Sequence, residues 1–311
     1  MINIHVDVDN LWMYEQEFDI SIHPDREYIY SQSLPVFLKL LQKTKSKATF
    51  MIIGKDLELP ACQAFCRKAI RAGHEIANHT WSHPISFGKL SYEQKKQQIV
   101  KTHKKIIAIC GKTPVGFRGA GYYYDKDIIT ILQQLHYLYD SSVLPGYANL
   151  LMTTYAAVKG GENRHKTFGR TNYLFSPDHP FIFKEEAKIM SFPRKRESSL
   201  VNTRLLELPI SVLPLIRLPI HTTFAYFFGE KYRQLILRYL KSKPSYVLYL
   251  FHAIDFVDLP QRSDHPIIPL QYAFDERMKF VESIVDTLVA INGGALQTSR
   301  VSLEPKVRSR V

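Results

Sequence analysis

The sequence has few cysteines and lacks any long apolar run. Its 311 residues include only three cysteines, Cys62, Cys66 and Cys110, too few for a disulfide framework and without a zinc-finger spacing. We therefore expect reduced thiols and a reducing compartment. No uninterrupted run of about 18 apolar residues occurs, so a membrane-spanning helix is not expected. The N-terminus shows no basic segment followed by an apolar one, so no signal peptide is expected and a cytoplasmic protein is predicted.

Acidic residues are also scarce relative to basic ones. The chain has 41 lysines and arginines against 29 aspartates and glutamates, a formal charge of +12. Such an excess favours an anionic partner, whether nucleic acid, a phospholipid surface or a phosphate-bearing substrate; a basic protein without a special partner is the simpler alternative. Hydrophobic residues make up 45% of the chain, which excludes extensive disorder and provides enough material for one large core.

Short apolar runs alternate with helix-like periodicity through the first 140 residues. This alternation predicts parallel βαβ units, whereas residues 11–26 are mixed and acidic and predict a loop. The predicted strands are 2–8, 48–54, 74–77, 115–117 and 137–142, and the predicted helices are 27–43, 61–72, 91–110 and 125–135.

The pattern changes after residue 145. An irregular insertion is predicted at about 145–205, and its charged run at 192–199 is typical of a solvated loop rather than a nucleic-acid patch. The prolines within 205–228 forbid a regular spanning helix, so this apolar segment is either a lid packed on the core or a surface that touches lipid. Strands at 206–212, 245–251 and 295–303, a helix at 272–291 and a basic tail at 304–311 complete the prediction.

Two histidines follow the third predicted strand. His79 and His83 are four residues apart, roughly one helical turn, so we expect both rings to project to the same side and share one metal ion. Neutral imidazole is the commonest side-chain ligand for zinc and similar metals. A catalytic site needs a further ligand, usually a carboxylate, and Asp7 and Asp9 at the end of the first strand offer one.

Polar side chains collect at the carboxyl ends of the predicted strands. In barrels built from βα units, residues at these ends form the active site. The residues in this position are Asp7, Asp9, His79, His83, Arg118 and Asp140. By contrast, His74 and His221 are expected to be structural or surface residues.

These motifs together resemble one known family. The Asp7-Val8-Asp9 triplet, the segment Asn78-His79-Thr80-Trp81-Ser82-His83, the Phe117-Arg118-Gly119 turn and Leu250-Phe251-His252 are similar, in content and order, to the polysaccharide deacetylases of carbohydrate esterase family 4. The resemblance covers about 1–140 and 206–303. It implies an α/β fold, a distorted (β/α) barrel of about seven parallel strands of TIM-like type. The predicted domain is a single unit at 1–303.

The resemblance also implies a set of roles. A divalent metal, zinc with cobalt, nickel or manganese as alternatives, is held by Asp9, His79 and His83. The matched general base is Asp7, which Arg118 pairs with and orients, and the matched general acid is His252. Asp140 is expected to orient or charge-stabilise one of these groups. Backbone N–H groups near Gly121 and Tyr122 are expected at an oxyanion site.

The implied reaction is hydrolysis of an N-acyl group, expected to be acetyl, from an amino sugar in a glycan or in a lipid- or nucleotide-linked precursor. A carbohydrate substrate and peripheral association with an anionic membrane, at its inner face, are expected; nucleic acid is not. One alternative is a deformylase or another amidohydrolase of the same fold. Another is an inactive basic binding protein, which would predict missing ligands, yet the metal ligands and both acid–base residues are present.

Two parts of the motifs depart from the family pattern. Asn10 replaces the glycine usual after the paired aspartates, which Val8 separates, and Gly119-Ala120-Gly121 replaces a proline-rich turn. The second departure affects the contacts expected on the substrate side of the site.

Overall fold

The computed structural model describes residues 1–84, 86–147, 153–154, 175–183 and 205–308, with side chains through 303. Most of the predicted insertion at 145–205, including the charged run at 192–199, lies outside the described residues, as do 309–311. The predictions made for those segments stay predictions.

One sheet organises the described part of the chain. Its strand order is β6-β7-β5-β4-β3-β2-β1-β8, and every neighbouring pair is parallel except β6 with β7. Seven of these eight strands therefore run in one direction, as predicted for a distorted barrel. The strands are β1 Ile2–Val8, β2 Thr49–Ile52, β3 Glu75–Asn78, β4 Gly116–Phe117, β5 Tyr139–Asp140, β6 Phe181–Ile182, β7 Leu206–Glu207 and β8 Val247–His252.

Helices connect successive strands, and a π-helical turn at Ile29–Ser33 precedes α2. They are α1 Leu11–Phe18, α2 Leu34–Lys43, α3 Pro60–Arg71, α4 Tyr92–Cys110, α5 Lys126–Gln134, α6 Thr222–Phe227, α7 Glu230–Lys241, α8 Phe274–Asn292 and α9 Ser299–Arg308. Local signals set several of the ends. The Ser91 side chain and Gln94 form a reciprocal capping box at the start of α4, and Gly111 ends it in the left-handed conformation.

The first strand lies in the interior of the sheet, between β2 and β8. Its residues 3–8 are buried, as expected for a parallel strand that is covered on both faces. Asp7 is aligned with Met51 of β2 and with His252 of β8. The register therefore places the predicted base next to the predicted acid.

Hydrogen bonds join the chain after β7 to β8. The Ser211 N–H donates to the Leu248 carbonyl at 3.3 Å, and the Leu248 N–H donates to Ser211 Oγ at 2.9 Å. The segment predicted as a strand at 206–212 is paired in the sheet only at Leu206–Glu207. Pro209 lacks the N–H that would continue the ladder. The link through Ser211 curls the sheet toward closure.

Two secondary-structure predictions were wrong. Residues 11–26, expected as a loop, contain α1, because Asn10 Oδ1 accepts the Leu11 N–H at 2.7 Å and starts the helix. Residues 295–303, expected as a strand, contain the start of α9. Ser299 at its start is buried and contacts His5 from β1, so tertiary contact outweighs the weak local pattern there.

The apolar segment 205–228 is divided between core and surface. Leu208, Ile210 and Phe224 are buried, whereas Leu215 is 98% exposed at a turn. The segment packs on the core over most of its length, as a lid would. No helix in the described ranges is long and apolar enough to cross a membrane.

Candidate active site

A cleft opens at the carboxyl ends of β1, β3, β4 and β8. It encloses about 160 Å³. Its lining combines the polar groups Asp7, Asp9, His79, His83 and His252 with apolar side chains. The apolar lining includes Met13, Phe18, Phe224, Phe227, Ile254 and Ile267. An apolar cleft with a few convergent polar groups is the usual form of a small-molecule site.

His79 directly follows β3 and is fixed by the neighbouring strand. Its Nδ1–H donates to the backbone carbonyl of Arg118 at 2.8 Å. Since a carbonyl can only accept, this contact assigns the proton to Nδ1 and directs the Nε2 lone pair into the cleft. Metal-binding histidines commonly have this type of support.

The loop that carries the histidine pair is not helical. The expectation that one helical turn aligns the two rings was wrong: Thr80 and His83 have φ values of 64° and 46°, and no helix spans this segment. Instead, Gln98 Oε1 accepts the N–H groups of Trp81 and Ser82, both at 2.9 Å. A tight loop held by α4 thus brings the two rings together, with centroids 5.0 Å apart.

Trp81 packs beside this loop. A Cβ atom at Gly54 would lie 2.7 Å from Trp81 Cε3 and 2.2 Å from Thr102 Oγ1, so the close approach requires glycine. The Gly54 N–H donates to the Thr80 carbonyl at 2.8 Å, and Lys101 Nζ lies 3.5 Å from the Trp81 ring centroid. This packing supports the loop that carries His79 and His83.

Three ligand atoms converge at one point of the cleft. Asp9 Oδ1 lies 3.6 Å from His79 Nε2 and 3.8 Å from His83 Nε2. All three side chains are buried and offer ligand atoms within 4.8 Å of one another. Within the described residues, Asp9 Oδ1 is buried and has no hydrogen-bond partner. An Asp–His–His donor set with a buried carboxylate oxygen left over fits a divalent cation.

The electrostatics of this cluster favour positive charge. Burial raises the pKa of Asp9, but the imidazoles of His83 and His79 outweigh burial and lower the pKa below its usual value. Burial lowers the pKa of His79, yet the carboxylates of Asp7 and Asp9 outweigh it and raise the pKa. The three side chains therefore interact strongly, and the ionised carboxylates of Asp7 and Asp9 would attract a cation.

The predicted base is held by a buried arginine. Arg118 Nη1 donates to Asp7 Oδ1 at 2.5 Å, and both side chains are almost fully buried. Charge-assisted contacts of this kind are roughly twice as strong as neutral hydrogen bonds. Asp7 Oδ1 is thus occupied, and Oδ2 lies 3.9 Å from His252 Nε2.

The remaining donors of Arg118 are also used. Its Nε donates to the Ser141 carbonyl and its Nη2 to Ser141 Oγ, both at 2.7 Å. Nη2 also donates to His5 Nδ1 at 2.9 Å, and His5 Nε2 contacts Ser299 Oγ at 2.7 Å. Burial, and then the charge of Arg118, lower the pKa of His5 well below its usual value, so a neutral His5 can accept from Arg118.

His252 ends β8 and faces Asp7. Its backbone N–H donates to Asp255 Oδ2 at 2.9 Å, which fixes the turn after the strand. The Tyr122 hydroxyl lies 3.0 Å from Nε2, and Thr223 Oγ1 lies 3.3 Å from Nδ1. Both ring nitrogens therefore have partners, and the ring is oriented at the cleft wall.

Asp140 does not reach the cleft. It is fully buried, where its Oδ1 accepts the Ser141 N–H at 2.8 Å and the Ser142 hydroxyl at 2.5 Å. Ser142 Oγ in turn accepts the Gly119 N–H at 2.8 Å. Asp140 thus supports the Arg118–Gly119 turn through serines and does not touch a reacting group.

A second carboxylate, Glu207, lies beside Asp140 in the sheet. The two residues are paired in the register of β5 and β7, and both are fully buried. Burial raises the pKa of Asp140 to about 7. Burial and repulsion from Asp140 raise the pKa of Glu207 well above its usual value. Two carboxylates that are buried side by side, away from water, are expected to share one proton at neutral pH.

The turn after Arg118 is built around glycine. A Cβ atom at Gly119 would lie 2.1 Å from the Tyr123 carbonyl oxygen, so only glycine fits. Gly121 and Tyr122 both have positive φ, 64° and 58°. The Tyr122 N–H donates to the Gly119 carbonyl at 3.1 Å, so it is used within the turn and does not point at an oxyanion as expected.

Sequence reasoning gave no side-chain role to several residues of the cleft, among them Tyr122 and His221. Tyr122 contacts His252, and His221 lines the cleft wall. The signal for Tyr122 was its place in the turn after Arg118. No spacing pattern marks His221, because its position depends on how the chain packs after β7.

The fold and the convergent Asp–His–His cluster define a (β/α) barrel protein with a metal-type site at the carboxyl ends of its strands. Residues 18–139 match the family model described as polysaccharide deacetylase. The prediction drawn from the motifs is confirmed. His79, His83 and Arg118 lie within the matched segment, whereas Asp7, Asp9 and His252 lie outside it.

Two relatives share part of the sequence. A peptidoglycan-N-acetylglucosamine deacetylase of Bacillus cereus is 31% identical over 91 residues, which cover 29% of this chain and 30% of that protein. A peptidoglycan deacetylase-like protein of Gibberella zeae is 31% identical over 108 residues, or 34% of this chain and 31% of that protein. The aligned segments span less than a third of either relative.

A solved structure resembles the whole fold. A Mycobacterium smegmatis protein assigned to the polysaccharide deacetylases superimposes with a TM-score of 0.58 over 99% of this chain and 90% of its own, at 15% sequence identity. At this identity the likeness concerns the fold, and it agrees with the predicted distorted barrel.

Proposed function

We propose that this protein is a metal-dependent hydrolase that removes an N-acyl group, acetyl in the simplest case, from an amino sugar. One observation carries the proposal: the Asp9–His79–His83 cluster lines one cleft together with His252 and with Asp7, which is paired to the buried Arg118. The match of residues 18–139 to the polysaccharide deacetylase family model supports deacetylase chemistry. The metal, the substrate and the residue roles are parts of this proposal.

The ion would be held by Asp9, His79 and His83. When bound, a divalent metal such as zinc, cobalt, nickel or manganese supplies Lewis acidity toward a carbonyl oxygen and toward water. The donor set suits zinc, because nitrogen and carboxylate ligands with an open position are typical of its catalytic sites.

Asp7 and His252 would move the protons. Asp7 Oδ2 is the oxygen not bonded to Arg118, and it would accept the proton of the attacking water. Arg118 would stabilise the carboxylate and fix its orientation. His252 lies on the adjacent strand, with its Nε2 atom 3.9 Å from Asp7 Oδ2, and would donate a proton to the departing amine nitrogen. Tyr122 and Thr223 would hold the His252 ring in place.

The apolar part of the cleft lining would exclude water from the reaction and accommodate the acyl group. Phe224 and Phe227 of α6 line the cavity together with Ile254 and Ile267. Water exclusion strengthens the contacts that stabilise charge in the transition state.

The experiment that tests this function is a release assay. Purified protein is incubated with zinc or cobalt and a set of N-acetylated amino sugars, including lipid-phosphate-linked and nucleotide-linked forms. We expect acetate release by the wild type and almost none by Asp7→Asn. Mass analysis of the released acid distinguishes a deformylase, which would release formate. No acid release from any donor would favour an inactive binding protein.

Membrane association is a second part of the proposal. Leu215 is 98% exposed and Ile216 is 47% exposed at a tight turn, in which the Leu213 N–H donates to the Leu218 carbonyl at 2.8 Å. The adjacent Arg217 donates to the Ser176 carbonyl, and Phe175 beside it is 85% exposed. Apolar tips next to basic residues suit an anionic lipid surface, as does the charge of +12.

Vesicle sedimentation tests this part. Wild-type protein is expected to sediment with vesicles that contain anionic phospholipid and to remain in solution with neutral ones. Replacement of Leu215 and Ile216 by serine should reduce binding at constant charge, whereas raised salt should weaken the electrostatic share. Absence of sedimentation with anionic vesicles at low salt would exclude the membrane proposal but leave the hydrolase proposal intact. It would also leave the predicted cytoplasmic location untouched.

A further inference from the structure

A second imidazole, His221, lies in the wall of the cleft beside His252. Its ring centroid is 5.7 Å from that of His252, and its ring packs edge-on against Phe224 at 4.8 Å. The residue is 1% exposed and immediately precedes α6. It therefore stands next to the group that would protonate the leaving amine.

Neither ring nitrogen of His221 has a hydrogen-bond partner among the described residues. Other buried histidines in the same ranges do have partners: His5 contacts Arg118, and His74 Nδ1 accepts the Ala48 N–H at 3.2 Å. Burial of a polar group without a partner is unfavourable. A residue that carries this cost at the edge of an active-site cleft is poised to contact a ligand.

The ring is expected to be neutral. Burial lowers the pKa of His221 well below its usual value, and the neighbouring charges of His252 and Arg118 lower it further. A neutral imidazole has one donor nitrogen and one acceptor nitrogen. A hydroxyl group, which can both donate and accept, is a suitable partner for either nitrogen.

We propose that His221 binds a hydroxyl group of the sugar that flanks the scissile amide, and that it thereby selects amino sugars over simple N-acyl amines. The inference rests on the proposed function. In a 2-acetamido sugar, the carbon that bears the amide is bonded to a carbon that carries a hydroxyl group. A substrate whose amide nitrogen meets His252 therefore presents a hydroxyl close to that nitrogen, and His221 lies in the adjoining part of the wall.

The test combines three variants with one parent substrate and its deoxy analogues. His221→Leu removes both ring nitrogens; His221→Asn places a polar atom near Nδ1, and His221→Gln places one near Nε2. The substrates are an N-acetylglucosamine trisaccharide and analogues that each lack one hydroxyl beside the acetamido group. His221→Leu is expected to lower kcat/KM about 10-fold to 100-fold on the parent, as for an unmade hydrogen bond in a buried site.

The decisive readout is the interaction between variant and substrate. On one deoxy analogue, the effect of His221→Leu is expected to shrink to less than about 3-fold, because the partner is already missing. Either His221→Asn or His221→Gln should restore most of the activity on the parent, which identifies the nitrogen involved. Calorimetry should show that the double variant Asp7→Asn/His221→Leu binds the parent trisaccharide more weakly than Asp7→Asn alone. The factor should match the loss of kcat/KM caused by His221→Leu.

Two controls separate this role from a structural one. Metal content should be unchanged in His221→Leu, and the unfolding midpoint should be equal or higher, because an unpartnered polar group has been removed from the interior. An equal loss on the parent and on every deoxy analogue, in a wild-type enzyme that is active, would overturn the role of His221 alone. If wild-type protein neither hydrolyses nor binds any N-acetylated amino sugar, the proposed function fails, and this inference fails with it.

Discussion

The two halves of the cleft satisfy their charges in different ways. We call the part of the site around Asp7, the proposed base, the base side. There Arg118 binds Asp7 and also donates to Ser141 and His5, so the negative charge of Asp7 is balanced by a residue of the fold. We call the part formed by the proposed metal ligands Asp9, His79 and His83 the ligand side. Its Asp9 Oδ1 atom lies 3.6 Å from His79 Nε2 and 3.8 Å from His83 Nε2. There Asp9 Oδ1 has no hydrogen-bond partner in the described part of the chain.

This difference predicts which half of the cleft would depend on the proposed metal. A buried carboxylate paired with arginine is organised before any ligand binds, because its partner belongs to the fold. A buried carboxylate surrounded by imidazoles is completed by a cation, since ligand binding and folding are coupled at such sites. Removal of the metal should therefore loosen the ligand side and leave the base side in place.

Asp7→Asn and Asp9→Asn are the strongest way to separate the two halves. We expect either variant to lower kcat about 100-fold to 10,000-fold, the range for loss of a general base, since loss of the activating ion removes the metal's contribution as well. Only Asp9→Asn should lose bound metal, which elemental analysis of dialysed protein measures. His79→Ala and His83→Ala should behave like Asp9→Asn.

Asp56→Asn is the matched control for these variants. Asp56 is another buried carboxylate, bonded to Trp12 Nε1 at 2.8 Å and to the Tyr30 hydroxyl at 2.7 Å. It lies outside the cleft lining, so its variant should keep both metal and activity. Full metal content in Asp9→Asn, or in both histidine variants, would contradict the assignment of the ligand side.

Arg118→Met tests the balance of the base side. Removal of the guanidinium leaves the Asp7 carboxylate buried without its partner, so we expect unfolding in metal-free buffer to become easier by about 3–5 kcal/mol. Asp9→Asn under the same conditions should cost less than Arg118→Met, because a neutral asparagine leaves no ionised carboxylate buried without its partner. Urea unfolding in the presence of a chelator measures both. Equal losses of unfolding free energy in Arg118→Met and Asp9→Asn would show that the two halves do not differ in how their charges are balanced.

Metal binding should stabilise only a protein with an intact ligand side. Zinc at 100 times its dissociation constant is expected to stabilise the wild type by about 2.7 kcal/mol, since it binds the folded state. Asp7→Asn should retain this gain, whereas Asp9→Asn should lose it. The difference between unfolding curves with zinc and with chelator gives the value. A gain in Asp9→Asn equal to that of the wild type would place the ion elsewhere.

Much of the ligand side could be predicted from sequence. Asp9 and His79 each follow a strand whose apolar run is clear, and parallel strands end at one edge of a sheet. The conformation between His79 and His83 could not be predicted, because it depends on Gln98 from α4, a contact between residues about 16 positions apart. Spacing suggested a helical turn, and tertiary hydrogen bonds produced a loop instead.

The region after β7 was harder to predict. Strands of two residues leave almost no periodic signal, as at Leu206–Glu207. The role of Glu207 depends on its register with Asp140, and the position of His221 depends on packing after that strand. The start of α1 was also missed, although Asn10 is a standard N-cap residue, because the acidic sequence after it resembles a loop.

The Asp140–Glu207 pair offers the smallest and most specific test of how the base side is supported. Burial raises the pKa of Asp140 to about 7, so its protonated form is favoured by folding. The resulting stabilisation is complete below pH about 4 and is lost as the pH rises through about 7. Between pH 8 and pH 5, wild-type protein should gain on the order of 2 kcal/mol from this group.

Asp140→Asn should flatten that pH dependence, because asparagine does not titrate while it retains an oxygen for the Ser142 hydroxyl. Urea unfolding at pH 5 and pH 8 gives the two slopes, and Asp286→Asn, at an exposed position on α8, should keep the wild-type slope. Metal content should not change in either variant, since neither residue touches the ligand side. If Asp140→Asn kept the full pH dependence, Asp140 would be ionised in the folded protein, and the buried pair would have to be balanced by Arg118 rather than by a shared proton.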